Sequence, residues 1–204
     1  MPDTVSLDVD RNQAIAYALA RLERELPREL GYHSLAHTRD EVVPIAARLA
    51  QLEGVFDEEA LLLLRTAACY HDIGFVEQVH DHEAAGVRIA RATLPGFGYR
   101  PAQIDTIEGM IMATKLPQSP HTLLERILAD ADLDSLGRLD FLQRSLDLRT
   151  ELIALGASIS LSEWYQRQIQ FLSTHRYFTP SAGAMRNRGK QHNIALLHSL
   201  LVQQ

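Results

Sequence analysis

Apolar residues recur at the spacing of one face of an α-helix along nearly the whole chain, and the period-2 alternation expected of β-strands is hard to find. One such stripe contains Ile15, Leu19, Leu22 and Leu26, and it ends at Pro27. The pattern predicts an all-α fold of about eight or nine helices.

Several helix starts are marked by residues that cap the first turn. Asp57 precedes two glutamates, Ser160 to Glu163 forms a capping box, and Thr179-Pro180 and Ser119-Pro120 are typical of helix N-termini. Pro44 lies inside the stripe from 42 to 52. Because proline lacks an N–H and clashes with the preceding turn, we expect it to kink this helix or to delay its regular start.

Composition limits the function classes. The chain has 204 residues, 46% of them hydrophobic, and a formal net charge of −6. These values predict one soluble domain over residues 1–204, and the acidic balance makes nucleic-acid binding unlikely. No apolar run is long enough to span a membrane, and the N-terminus lacks the features of a signal peptide, so a cytoplasmic location is predicted. The single cysteine, Cys69, is expected to be a buried thiol.

Four residues form the most informative polar set. His37 is followed by the adjacent pair His71-Asp72 and then by Asp132. Imidazoles and carboxylates bind divalent cations of borderline or hard character, and four protein ligands leave positions open for water and a phosphate oxygen. The order predicts a metal site, with the His-Asp pair at the C-terminal end of a helix.

The segments around these residues resemble the HD superfamily of metal-dependent phosphohydrolases. They read YHSLAHT at 32–38, ACYHDIGF at 68–75 and LADADLDSLG at 128–137. The resemblance covers a motif core of about 30–140, which leaves a C-terminal helical extension of about 141–204. It implies an HD-domain-like helical bundle in which His37, His71, Asp72 and Asp132 hold one divalent metal ion (Mn, Ni, Co, Fe, Zn or Mg).

Two aspartates compete for the last ligand position. Asp130 and Asp132 are about 200° apart around a helix, so both cannot face one ion. The resemblance favours Asp132, because the family's last aspartate usually follows a small residue and precedes a bulky one. Asp130 is then expected to be a solvated or capping carboxylate.

Polar residues after the His-Asp pair are expected at the rim of the site. By resemblance, His82 occupies the position of a residue that serves a second metal or the substrate phosphate. Ala113 stands where binuclear members have histidine, and this difference favours a mononuclear site. Lys115 is a candidate phosphate clamp, and His33 would share a face with His37 if that segment were helical. Glu83 or Asp72 could accept a proton from the attacking water.

The function implied is hydrolysis of a phosphate ester by metal-activated water, with Asp72, His82, Glu83 and Lys115 in catalysis and His33, His82 and Lys115 in substrate binding. A nucleotide, either a monophosphate or a cyclic one, is the preferred small phosphorylated substrate. One alternative is a metal-binding regulatory domain that senses a nucleotide without turnover. Another is an oxygenase with two irons, which would need the histidine that Ala113 replaces. A homo-oligomer is possible.

Overall fold

A computed structural model describes residues 4–203. Part of the N-terminal segment on which the signal-peptide prediction rests, residues 1–3, lies outside this range. Within it the chain forms α-helices, short 3₁₀ turns and one π-helical turn, without a strand. The helices are α1 (Thr4–Glu25), α2 (Val43–Leu52), α3 (Glu58–Tyr70), α4 (His82–Thr93), α5 (Pro101–Thr114), α6 (Leu123–Asp132), α7 (Phe141–Ala154), α8 (Leu161–Thr174) and α9 (Pro180–Val202). The all-α prediction is confirmed, and nine α-helices among the described residues agree with the expected number.

Most of the predicted helix starts are observed. The Asp57 carboxylate accepts from the backbone N–H of Ala60, the Ser160 and Glu163 side chains form a reciprocal capping box, and Thr179 caps α9. The start of α6 was predicted wrongly. Thr122, not Ser119-Pro120, is its N-cap, because Thr122 pairs with Glu125 in a second capping box that satisfies the free N–H groups there.

Pro44 delays the regular helix, as expected. The turn before it, His37–Val42, is π-helical, and the backbone N–H of Val43 donates to the carbonyl of Thr38, five residues earlier. Pro44 then lies in the first turn of α2, where a missing N–H costs no hydrogen bond. The wider turn carries His37, and π-turns of this kind are frequent at functional sites.

Buried apolar side chains form two clusters. The larger cluster contains residues from each of the six helices α1 through α6, and its members include Val42, Leu64, Tyr70, Ile107 and Leu128. The smaller one joins the 3₁₀ turn at Asp134–Gly137 to α7, α8 and the C-terminal half of α9. Helix α9 contributes to both, through Ala182 and Leu197 respectively. No described helix combines the length and the hydropathy needed to cross a bilayer. The single-domain organisation stays a prediction.

Close backbone packing fixes the chain that follows the His-Asp pair. A 3₁₀ turn, Ile73–Val76, leads away from α3 and packs against the start of α4. A Cβ at Gly74 would overlap with the carbonyl oxygen of His82 and lie 2.7 Å from the backbone nitrogen of Gly86. Glycine at 74 therefore lets the backbone at His82 pack directly against this turn.

Candidate metal centre

Three elements bring the four predicted ligands together. His37 lies in the π-turn before α2, His71 and Asp72 follow the last residue of α3, and Asp132 is the last residue of α6. His71 still has helical dihedral angles, whereas Asp72 has φ −100° and ψ 0°. This change of backbone direction at the helix end lets two adjacent side chains approach the same point, as the sequence requires.

Most of the separations between the candidate ligand atoms suit a single cation. His37 Nε2 lies 3.2 Å from Asp132 Oδ1 and 3.9 Å from Asp72 Oδ2, while His71 Nε2 lies 3.4 Å and 3.2 Å from the same two oxygens. Metal–ligand bonds of about 2.1 Å at tetrahedral or octahedral angles place neighbouring ligand atoms roughly 3.0–3.4 Å apart. Three of the four separations fall in or near that range, and the buried His37, His71 and Asp72 form a group whose potential ligand atoms all lie within 4.8 Å of one another.

Two buried atoms in this cluster lack a hydrogen-bond partner. They are His71 Nε2 and Asp72 Oδ2, two of the four converging atoms. An unpaired buried polar atom costs about 1–3 kcal/mol, more when it is charged, so such atoms call for a ligand. A divalent cation between them would satisfy both, and the residues present therefore fit a metal ion.

The remaining ring nitrogens of the two histidines are held by the protein. His71 Nδ1 lies 2.7 Å from the carbonyl oxygen of Ala68, to which it donates, and this leaves the Nε2 lone pair free for a metal. His37 Nδ1 lies 3.3 Å from the Glu41 carboxylate, which orients it in the same way. Glu41 is itself flanked by Arg138 and Arg144 at 3.4 Å.

Protonation of the cluster opposes metal binding. Burial disfavours the charged form of His71, but Asp72 and Asp132 outweigh it and raise the pKa of His71 well above its usual value. Burial likewise works against the charge on Asp132, but His37 and His71 lower its pKa below the ordinary range. A cation that binds here must therefore displace protons from the histidines.

Asp130 does not face this cluster. It is fully buried, and it accepts hydrogen bonds from the backbone N–H groups of Phe178 and Thr179 and from the Thr179 hydroxyl, at 2.7–2.9 Å. Its burial raises its pKa even though these donors favour the charged form. Asp130 thus anchors the N-cap residue of α9, which agrees with the capping role among the two roles expected, and it is buried instead of solvated.

His82 lies at the rim beside the cluster. Its Nε2 is 3.5 Å from Asp72 Oδ1 and 3.6 Å from Glu83 Oε1. The ring stacks on Phe75 with a centroid distance of 3.8 Å and an angle of 19°. Burial disfavours the charged ring, but Asp72 outweighs burial and raises the pKa of His82. The structure thus brings His82 and Glu83 to the candidate site, although their roles stay predictions.

His33 is also near the cluster, but not for the reason expected. The segment before Leu35 is not helical, so His33 and His37 do not share a helix face. Instead, His33 lies against Phe75 and its ring centroid is 6.0 Å from that of His82 and 6.3 Å from that of His37. A carboxylate from α7, Glu151, accepts from its Nδ1 at 2.5 Å.

Lys115 is exposed and paired with Asp81, the residue before His82. Asp81 has φ +58°, a conformation that few residues other than glycine adopt, and it precedes the first residue of α4. The structure therefore places Lys115 at the rim, in an ion pair. Its predicted role as a phosphate clamp would require the ammonium group to leave or share Asp81.

The other histidines do not contribute to the cluster. His121, His192 and His198 are exposed. His175 is packed on Tyr177, and burial together with the Lys190 charge lowers its pKa to about 4. Cys69 is a free, buried thiol whose pKa burial raises to about 12, as expected of a structural residue.

The sequence analysis did not identify the residues that contact and orient the histidines of the site. Glu41 follows His37 by four residues, a spacing that does carry a signal, because such residues are neighbours on a helix. Phe75 follows the His-Asp pair closely, but nothing local identifies it as a stacking partner. Glu151 and Arg144 are more than a hundred residues from the atoms that they contact, and one sequence contains no signal for such a pairing.

Comparisons with solved structures agree with the fold. Three solved structures share the fold over almost the entire chain. They are a predicted HD superfamily hydrolase from an uncultured Thermotogales bacterium (20% identity, TM-score 0.60, covering 92% of this chain and 91% of that one), Bacillus subtilis YpgQ in complex with ADP (15%, 0.67, 98% and 97%) and a Lactobacillus plantarum protein (19%, 0.66, 100% and 96%). No curated protein matches the chain.

The solved structures are too distant to show more than the fold, and a family model identifies the family. The HD domain model matches residues 33–135, about half of the chain, and this segment contains all four predicted ligands. The all-helical architecture fits an HD-domain bundle. The chain therefore belongs to the HD domain family.

Proposed function

We propose that the protein is a metal-dependent phosphohydrolase that acts on a nucleotide or another small phosphorylated metabolite. The observation that carries this proposal is the convergence of His37 Nε2, His71 Nε2, Asp72 Oδ2 and Asp132 Oδ1, with two of these buried atoms lacking any other partner. A site built only to stabilise the fold would be expected to pair such atoms with protein donors and acceptors.

The residues around the cluster fit the task of hydrolysis. A divalent cation held by the four side chains would supply Lewis-acid activation of a water and charge stabilisation at a phosphoryl oxygen. His82 would donate a hydrogen bond to a phosphoryl oxygen as negative charge develops, and His33 beside it would contact the same phosphoryl group. Asp72 or Glu83 would accept the proton of the attacking water, and Lys115 would add positive charge at the rim.

Two observations favour a nucleotide as the substrate class. The Bacillus subtilis neighbour binds ADP, although at 15% identity this supports a nucleotide only by analogy. In this chain, His33, His82 and Phe75 present aromatic rings beside the candidate metal site, with ring centroids within 6.3 Å of a neighbouring ring. The formal net charge of −6 gives the protein little general attraction for long polyanions, which favours a small substrate. Mono- and cyclic nucleotides remain the preferred candidates, and a cytoplasmic location stays a prediction.

The alternative is a regulatory domain that binds a nucleotide at the same metal without turnover. The engagement of Lys115 by Asp81 favours it, because it leaves one fewer free cation to stabilise a transition state. The two functions differ in a single observable, the release of product under conditions in which the nucleotide binds.

The test uses chelator-treated protein reloaded separately with Mn, Ni, Co, Fe, Zn or Mg and assayed against nucleoside mono-, di- and triphosphates, cyclic nucleotides and p-nitrophenyl phosphate. We expect turnover with at least one metal, loss of turnover in Asp72→Asn, and normal turnover in the matched control Asp105→Asn, whose side chain is 71% exposed on α5. Nucleotide binding that needs Asp72 but gives no product with any metal would replace hydrolysis by the sensing alternative.

A further inference from the structure

We propose that Glu151, on α7 in the C-terminal helical extension, is a positioning residue that fixes the tautomer and orientation of His33, so that the Nε2 lone pair of His33 accepts a hydrogen bond from a protonated oxygen of the substrate's phosphoryl group. The inference deepens the proposed hydrolase function and rests on it for the identity of the group that His33 meets. It assigns a role in the site to the helical extension that follows the motif core.

The carboxylate of Glu151 is saturated by three donors from one short segment. Its Oε2 accepts from the backbone N–H groups of Tyr32 at 2.9 Å and His33 at 3.0 Å, and its Oε1 lies 2.5 Å from His33 Nδ1. The side chain is only 2% exposed. Burial disfavours its charge, but the contact with His33 outweighs burial and lowers the pKa of Glu151. An ionised carboxylate can only accept, so Nδ1 of His33 carries the hydrogen.

The other ring nitrogen is left for a ligand. Nε2 lies on the far side of the imidazole from Nδ1, and no described residue forms a hydrogen bond with it. The ring lies against Phe75 at 4.3 Å, within 6.3 Å of the rings of His37 and His82. His33 is thus held on one edge by Glu151 and on one face by Phe75, with its ring 6.3 Å from that of the candidate ligand His37.

A second residue of α7 grips the same segment. Arg144 lies seven residues before Glu151, which places the two side chains on the same face of the helix. Its guanidinium lies 4.6 Å from the ring centroid of Tyr32 and donates to the Tyr32 carbonyl at 3.3 Å. It also lies 3.4 Å from Glu41, the carboxylate that contacts His37. The precise docking of α7 against residues 32–33 therefore has the two anchors that a positioning role requires.

The substitution Glu151→Gln separates positioning from simple folding. The two backbone N–H groups of Tyr32 and His33 require an acceptor, so the amide oxygen of glutamine must take the place of Oε2. The amide NH₂ then faces His33 Nδ1, where it can only donate. The neutral ring should change from the Nδ1–H tautomer to the Nε2–H tautomer, while the backbone contacts and the side-chain volume are kept.

Long-range ¹H–¹⁵N NMR spectra, recorded over a series of pH values, report the tautomer directly and do not depend on activity. We expect Nδ1–H in the wild type and Nε2–H in Glu151→Gln. The control Glu163→Gln, which alters the capping box of α8 instead, should leave the His33 signals unchanged. Retention of the Nδ1–H tautomer in Glu151→Gln would overturn the assignment.

Kinetics on p-nitrophenyl phosphate test whether Glu151 acts through His33. We expect kcat/KM to fall about 10- to 100-fold in both Glu151→Gln and His33→Ala, and the double variant to be no worse than His33→Ala. Effects that multiply in the double variant would show that Glu151 acts independently, and the positioning role would be rejected. If the wild type turns over no phosphate ester, the proposed function fails. The NMR comparison and the binding of orthophosphate to metal-loaded wild type and Glu151→Gln then still decide the orienting role, and equal affinities would count against it.

Discussion

Replacement of Gly74 by alanine should damage the site without touching a metal ligand. The new Cβ would overlap with the His82 carbonyl oxygen and lie 2.7 Å from the backbone nitrogen of Gly86, whereas real Cβ atoms seldom come nearer than 3.4 Å. The contact with Gly86 alone would require α4 to move by about 0.7 Å away from the 3₁₀ turn, and the tighter overlap with the His82 carbonyl oxygen requires a larger movement. His82 is the first residue of α4, so the movement shifts it directly.

The cost can be estimated for both stability and activity. Overpacking of a tightly packed site costs about 1–3 kcal/mol, and we expect the upper end because both opposing atoms belong to the backbone. For a chain of this size, 3 kcal/mol corresponds to a decrease in Tm of about 6–12 °C. A displacement near 1 Å in a residue that holds substrate can reduce the rate about 100-fold. We therefore expect kcat/KM to fall roughly 10- to 100-fold.

The assays are differential scanning calorimetry and phosphate release from the best substrate, with Gly96→Ala as the matched control. Gly96 is exposed, and a Cβ there meets no heavy atom within 4 Å, so its replacement should leave Tm within about 2 °C of the wild type. A Gly74→Ala protein with the Tm and kcat/KM of the control would refute the claim that this contact positions His82.

Three further predictions concern the metal and the rim. Elemental analysis should find close to one tightly bound transition metal per chain and none in His71→Ala, and metal affinity should weaken as pH falls. Burial opposes the charge on His71, but the adjacent carboxylates outweigh it and raise the pKa of His71, so protons compete with the metal. The metal affinity should fall about tenfold per pH unit for each proton displaced. A metal affinity that does not depend on pH would contradict this. Asp132→Asn should lose metal and activity, whereas Asp130→Asn should retain metal but lower Tm because it disturbs a buried carboxylate that accepts three hydrogen bonds; metal loss in the Asp130 variant alone would exchange their roles. His82→Ala and Lys115→Ala should each retain one metal and lower kcat/KM about 10- to 1000-fold, and wild-type kinetics in both would remove them from substrate binding.

Local signals in the sequence were sufficient for most of the helix starts, and together with the family resemblance they identified the candidate ligands. Asp57 and Thr179 cap helices because the capping interaction involves residues only three positions apart. The start of α6 was misplaced because two plausible caps stand close together, and only Thr122 has a glutamate three residues later. The choice between Asp130 and Asp132 depended on helix geometry and on family resemblance, and the structure places Asp132 beside the two histidines.

The parts that could not be predicted depend on the packing of distant segments. The expectation for His33 assumed a helix that begins two residues too early, and its true anchor, Glu151, lies 118 residues away. Asp130 is polar and was expected at the surface or at a cap, but its burial is compensated by donors from Phe178 and Thr179, which the chain brings back only when α9 docks. Sequence periodicity identifies which face of a helix is buried, but it does not identify which helix covers that face.

Two groups of residues in the site come from different parts of the fold. The candidate metal ligands come from α3, α6 and the turn before α2, which share the larger apolar cluster, so their relative positions are fixed by core packing. Two residues of α7, a helix of the smaller cluster, contact the groups around the site. Glu151 orients His33, and Arg144 contacts Glu41, the carboxylate beside His37. Because α7 meets the core through polar and charged contacts near the site, small changes in its docking would alter the outer groups while leaving the cation ligands in place. The candidate cation ligands and the groups around them are therefore held by different parts of the fold.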